Sequence, residues 1–235
     1  MLFRSLTFDF VEKIFRLCAF GVMNRGDSSW CSLLDEEDIK VLEYQGDLEN
    51  YYEHSYGNTL NHKIECTLLS DITQNLRDFS MGKSELRGVF RFTSSGTLVS
   101  LLTILGLFKD SVPLRADNHI QQSKRLFMVS NMVPMSANIA FLLYACNSTE
   151  KAGKLEHKLQ VLVNEKPVAL SCCHGNTTCG LDEFLSCFKE TVNSCDFDTM
   201  CSLPPTGNPK ALATTSRPLH VFMSLSIIFA LFFKI

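Results

Sequence analysis

Val89-Phe90-Arg91-Phe92-Thr93-Ser94-Ser95-Gly96-Thr97-Leu98 opens the stretch that decides the fold, and it continues as VSLLTILGLFKD through Asp110. Val89 to Phe92 has the aromatic and β-branched content of a short buried strand. Thr93 to Gly96 is small and polar, the composition of a turn. From Thr97 the chain places Leu98, Leu101, Leu102 and Leu105 on one face, as a helix does. A strand feeding a helix through a tight turn leaves backbone N–H groups unpaired at the turn, where an anion can sit. Arg91, Ser94 and Ser95 are therefore the candidate contacts of such an anion. Strand alternation leaves Arg91 equally placed to face outward or to pair with a carboxylate.

Working outward, the pattern gives helices before this point and a mixed part after it. An amphipathic helix is expected over 8–23, with Trp30 beside Cys31 as a packing anchor. Asp35 is placed to cap a helix from Glu36 to about His54, with Asp38 favouring its positive end. A third helix is expected over 67–79, with Leu68, Leu69, Ile72 and Leu76 inward. Residues 1–85 thus read as a helical lobe. Strand 86–92 and helix 97–108 open an α/β part through residue 201, with further strands over 137–146 and 158–163 and a helix over 181–193. Lys109 and Asp110 read as a solvated helix end.

The stretch Phe92 to Asp110 resembles the proton-donor region of the histidine acid phosphatases, in particular their multiple inositol polyphosphate phosphatase branch. There the turn reads Phe-Gly-His-Ala-Glu-Thr-Leu and the helix ends Gly-(aromatic)-Phe-Lys-Asp. Thr97, Leu98, Gly106, Phe108, Lys109 and Asp110 fit that pattern. Ser94 stands in the place of the histidine and Gly96 in the place of the glutamate. The likeness extends in order over roughly residues 10–201, through Leu17 to Phe20, Ser29 to Cys31, Val41 to Tyr44, Cys66 to Leu68, Val133-Pro134, Leu142 to Tyr144 and Val163 to Lys166.

The resemblance implies an α/β phosphoglycerate mutase-like fold with a helical lobe, of which this chain is the C-terminal portion without the N-terminal strands. A parallel sheet deprived of those strands would expose edges and apolar faces. The implied activity is phosphomonoester hydrolysis, on inositol polyphosphates such as phytate and on 2,3-bisphosphoglycerate, without a cofactor. It proceeds through a phosphohistidine, with an acid protonating the leaving alkoxide. The implied nucleophile lies in an Arg-His-Gly-x-Arg-x-Pro motif. None of His54, His62, His119, His157, His174 and His220 follows an arginine. Neither Ser94 nor Gly96 can act as a tuned acid, and loss of general acid catalysis costs about 100- to 10,000-fold. A fragment or inactive relative is expected. The alternatives are a surface-anchored glycoprotein that reuses the scaffold, and an enzyme completed by an upstream segment.

Ten cysteines in 235 residues point to an oxidising compartment. Cys18 with Cys31, Cys173 with Cys179, and Cys195 with Cys201 are the pairs that sequence proximity suggests. A zinc site at Cys172, Cys173, His174 and Cys179 is the competing reading; adjacent cysteines suit a tetrahedral cage poorly, and no metal is expected. Asn147-Ser148-Thr149 and Asn176-Thr177-Thr178 are glycosylation acceptor triplets. The net charge of −3 gives no pull toward nucleic acid.

Residues 219–235 are nearly all apolar, and residues 202–218 form a spacer rich in Pro, Thr, Ala and Ser. As a helix, Leu219 to Phe233 spans about 22 Å, short of the roughly 30 Å hydrocarbon core. Small residues, a polar spacer and a terminal apolar run are the layout of a glycosylphosphatidylinositol attachment signal, with Gly207, Asn208, Ala211 or Ala213 as attachment residues. A short single-span anchor is the alternative. Residues 1–24 interrupt their apolar positions with Asp9, Glu12, Lys13 and Arg16, unlike a signal-peptide core. With a secretory exit signal but no entry signal, a truncated or degenerate gene product is expected.

Overall fold

In a computed structural model, the structure describes residues 7–147 and 155–202. Helix α1 (Phe8–Arg25) ends at Gly26, whose φ of 65° is the left-handed value that stops a helix. Its stripe buries only Ile14 and Cys18. The disulfide Cys18–Cys31 joins α1 to the 3-10 turn Ser29–Leu33. Trp30 was expected to anchor that turn by packing, but it remains 44% exposed and the sulfur bridge does the holding. Helix α2 (Glu36–His54) starts at a reciprocal box: Asp38 N–H donates to the Asp35 carboxylate at 2.8 Å and Asp35 N–H to the Asp38 carboxylate at 3.1 Å.

Helix α3 (Thr59–Lys63) is short, and α4 (Cys66–Ser80) buries Leu69 and Leu76 with Leu68 and Ile72 partly covered. Helix α5 (Ser95–Ile104) ends earlier than expected, because Gly106 and Phe108 adopt positive φ and unwind the chain. After α6 (Val129–Met132) comes an antiparallel sheet. Strand β1 (Ile139–Asn147) pairs along its length with β2 (Leu155–Val163), from Ile139 opposite Val163 to Asn147 opposite Leu155. Asn164 and Glu165, both at positive φ, turn β2 tightly into β3 (Lys166–Pro167). Strand β4 (Thr178–Gly180) pairs with the other part of β2.

Four expectations are corrected here. The sheet is antiparallel. Residues 86–92 form no strand: they run extended and exposed, with Phe90 85% and Phe92 97% accessible, and no described strand pairs with them. The helix expected over 181–193 is two, α7 (Leu181–Cys187) and α8 (Lys189–Asn193), broken at Phe188, which turns its ring into the core. Cys195 bonds to Cys66, not to Cys201, which is a free thiol before the end of α9 (Phe197–Cys201) is passed. Helices α4 and α8 pack together and bring these cysteines to 5.6 Å between Cα atoms, so proximity in space overrides proximity in sequence. The Cys173–Cys179 bridge forms as expected and consumes two of the sulfurs of the alternative zinc site.

Two apolar clusters share α5. Leu101 and Leu105 pack with Leu69, Leu159, Val161 and Phe184. Val99 and Leu102 pack with Tyr44, Tyr51, Phe127, Met132 and Val163. A helix apolar on every side is one enclosed on every side. Residues 1–200 form one unit and 201–235 a second, of which only residues 201 and 202 are described. The spacer and tail therefore lie outside the described residues. No helix among the described residues is long and apolar enough to cross a membrane.

Candidate active site

Enclosure of α5 fixes where its amino end points. Ser94 precedes the helix in extended conformation and its side chain caps no helical N–H; its hydroxyl lies 3.4 Å from that of Thr97. Leu98 N–H returns to the Ser94 carbonyl at 3.3 Å. The N–H groups of Ser95, Gly96 and Thr97 have no acceptor among the described residues. These are the orphan donors that the first turn of a helix leaves. Ser94 and Ser95 are exposed beside them.

Two hydrogen bonds, one of them buried, seat the second half of α5 on the end of α2. Ser100 Oγ donates to the His54 carbonyl at 2.8 Å, and Ser55 Oγ lies 2.6 Å from Thr103 Oγ1. Thr103 itself donates to the Val99 carbonyl, so Ser55 is the donor of that pair. The result brings the His54 imidazole over Gly96: a Cβ at Gly96 would meet the ring at 2.9 to 3.2 Å. The space where a side chain at position 96 would begin is thus occupied from another helix.

Arg91 resolves its alternatives by pairing with the carboxylate of Asp71 on α4. The pair is partly solvent-exposed, and the nearby carboxylate competes with a phosphate for the guanidinium. Glu65, Leu68, Arg91, Phe92, Thr93 and Thr97 line an open cleft of about 400 Å³ beside the turn. Burial holds the Glu65 carboxyl above its ordinary range. Neither His54 nor Glu65 was marked by the sequence, because no motif ties the ends of α2 and α4 to this turn; only packing brings them there. A second hollow of about 440 Å³ along α7 and α8, lined by Ser186, Lys189, Glu190, Asn193 and Ser194, is not part of this constellation.

Asp110 is not a solvated helix end. Its carboxylate accepts the N–H groups of Leu126 at 2.7 Å and Phe127 at 3.0 Å, and Lys109 lies over the Tyr56 ring at 5.4 Å. Behind this, Asp47 and Arg125 form a buried ion pair, with Asp47 also accepting Val129 N–H at 2.8 Å. His174 is a loop residue, largely exposed, 3.2 Å from Glu183. Asn147 closes β1 and is exposed, and Asn176 sits in the exposed turn between Cys173 and Cys179.

A profile of the histidine phosphatase superfamily (branch 2) matches residues 3–164, across the α2 to β2 framework that carries the turn. The chain belongs to this family. Among curated histidine phosphatases it is 36% identical to multiple inositol polyphosphate phosphatase 1 of Gallus gallus, over 85% of this chain and 45% of that one. The Homo sapiens protein of the same name is 33% identical over 85% of this chain and 42% of its own length. The chain thus spans less than half the length of these relatives. The fold is that of the phytase from D. castellii, with a TM-score of 0.71 and 22% identity over 84% of this chain and 41% of the phytase. A Bifidobacterium longum multiple inositol polyphosphate phosphatase, solved with phosphate, aligns with a TM-score of 0.63 and 21% identity, over 81% of this chain and 41% of that one. The three disulfides of this histidine phosphatase are those of a protein that matures in an oxidising, secretory setting.

Proposed function

We propose that this chain carries the leaving-group side of an inositol polyphosphate phosphatase site and, as written, does not turn phosphomonoesters over. The observation that carries this reading is the amino end of α5. Its first N–H groups have no acceptor among the described residues, while Ser94 and Gly96 offer no ionisable group. The absence of Arg-His-Gly from the 235 residues removes the family nucleophile as well. What persists supports weak recognition of a phosphate ester by Ser94, Ser95 and the α5 amides, with inositol polyphosphates as the substrate class of the relatives. The test is phosphate release from phytate by the purified protein. Release at the level of a protein-free blank is expected, and turnover well above it would overturn the proposal.

The compartment reading extends to anchoring and glycosylation. We infer that residues 219–235 are a lipid-attachment signal, supported by their composition and the spacer before them. Phosphatidylinositol-specific phospholipase should release the protein from cells; resistance would favour a spanning segment. Of the two acceptor triplets, Asn147 is the better placed, because Asn176 already donates its side-chain N–H to the Cys173 carbonyl at 3.1 Å. Glycosidase treatment should shift the mass of wild type but not of Asn147→Gln.

A further inference from the structure

Strand β1 is paired on one side and open on the other. Asn164 N–H donates to the Asn138 carbonyl at 2.9 Å, one step beyond the pair Ile139 and Val163. In an antiparallel ladder, residues that exchange such bonds alternate with residues that do not. Ala140, Leu142, Tyr144 and Cys146 therefore turn their backbone groups toward β2, and Ile139, Phe141, Leu143 and Ala145 turn theirs away. The same alternation holds on β2: Val161, opposite Phe141, accepts the Val168 N–H at 2.9 Å on the side away from β1. On the open side of β1, the N–H groups of Ile139, Phe141, Leu143 and Ala145 have no acceptor among the described residues.

The composition of β1 leaves this edge unprotected. The strand reads Ile-Ala-Phe-Leu-Leu-Tyr-Ala-Cys-Asn, with no charged residue and no proline. Its register with β2 runs from end to end without a bulge. Charges, prolines and bulges are the devices by which edge strands avoid one another. One face of β1 is engaged, since Ile139, Phe141 and Leu143 pack against the cluster that holds Leu159 and Val161. On the other face Leu142 is 36% and Tyr144 44% exposed.

We propose that the open edge of β1 pairs antiparallel with β1 of a second copy of this chain, about a two-fold axis at Leu143. The strand is complementary to itself in that register. With Leu143 opposite its own copy, Leu142 stands opposite Tyr144, Phe141 opposite Ala145, and Ala140 opposite Cys146. The exposed Leu142 and Tyr144 of each copy then cover those of the other. Aromatic and aliphatic side chains stabilise each other across strands, whereas like charges directly opposite repel. A copy of β1 brings no charge to this edge, so the pairing sets none against another. Ile139, Phe141, Leu143 and Ala145, whose backbone groups face the open side, form the hydrogen-bonded pairs of the new ladder and continue one sheet into the other. Each copy uses its one open β1 edge, so the isologous contact closes at a dimer. The central pairs do not include Asn147.

The inference is independent of the phosphatase reading and is tested without a substrate. The mass of the purified full-length protein is measured by light scattering after gel filtration at micromolar concentration, where twice the chain mass is expected. Leu142→Lys/Tyr144→Lys sets like charges opposite one another and should halve that mass. Leu142→Lys/Tyr144→Glu sets opposite charges there and should restore it. Cys146 is a free thiol. Ala140→Cys, equilibrated with oxidised glutathione, should therefore give a covalent dimer on a non-reducing gel, with position 140 of one copy linked to Cys146 of the other in the peptide map. Within one strand these positions lie roughly 20 Å apart, so the link cannot form inside a copy. A wild type that stays monomeric would overturn the proposal. So would association that persists in Leu142→Lys/Tyr144→Lys, since another surface would then hold the copies together. If the charged variants fail to fold, the Ala140→Cys map decides: a protein with no link between position 140 and Cys146 does not pair in this register.

Discussion

Gly96 is where chemistry and packing meet at the scale of a residue. Restoring an acid there would have to displace the His54 ring, which is half-exposed and can yield. Gly96→Glu should therefore fold, yet its phosphate release from phytate should stay at the blank level, because the sequence still contains no Arg-His-Gly. Release above blank in this variant would show that the acid alone was limiting. Asp47 gives a different lesson. Burial lifts its carboxyl to about 6 even though Val129 N–H and Arg125 act to lower it. A carboxyl raised in the folded state contributes stability that is present below its unfolded value, about 3.9, and is lost as pH rises through about 6. Removing the buried cation should deepen that loss. Arg125→Met should cost about 3–5 kcal/mol near neutrality, and less at pH 5, where Asp47 takes up a proton. Urea midpoints of variant and wild type at pH 5 and pH 8 check this; equal losses at both would count against a charged Asp47 in the fold.

At the scale of elements, α5 is held between two clusters and α4 is tied to the end of α8 by Cys66–Cys195. The tie closes a long loop, the case in which a disulfide restricts the unfolded chain most. The double variant Cys66→Ala/Cys195→Ala should lose about 2–5 kcal/mol by chemical denaturation. The loss should be matched by wild type in which this bridge is selectively reduced. An unchanged midpoint would place the α4–α8 packing, not the covalent link, in control. The helix boundaries that local chemistry governs were readable in advance: Asp35 and Asp38 mark the start of α2, and its span agrees with the expected one. The break at Phe188 was not readable, because its apolar side chain fits an uninterrupted stripe and only the position of the core asks it to turn inward.

For the molecule as a whole, the exposed run through Phe90 and Phe92 is the least settled surface. Two phenylalanines at 85% and 97% exposure, on backbone that pairs with no described strand, are a site for self-association. Phe90→Ser/Phe92→Ser should reduce concentration-dependent light scattering and leave the thermal midpoint within a degree or two, since these side chains bury almost nothing. A large drop in midpoint would mean that the run packs in solution.

The same run marks the division between what was legible and what was not. Sequence alone determined the long helices α1, α2 and α4, the polar turn before α5, the family likeness and two of the disulfides, because caps, periodicity and short-range cysteine spacing act between neighbours in the chain. It also showed that Ser94 and Gly96 carry no acid. Tertiary structure alone decided that Val89 to Phe92 pairs with no described strand, that Arg91 spends its charge on Asp71, that Cys195 reaches Cys66, and that His54 and Glu65 stand at the turn. A strand, an ion pair and a long-range disulfide each need a second partner, and sequence specifies the capacity of one side while packing chooses the other.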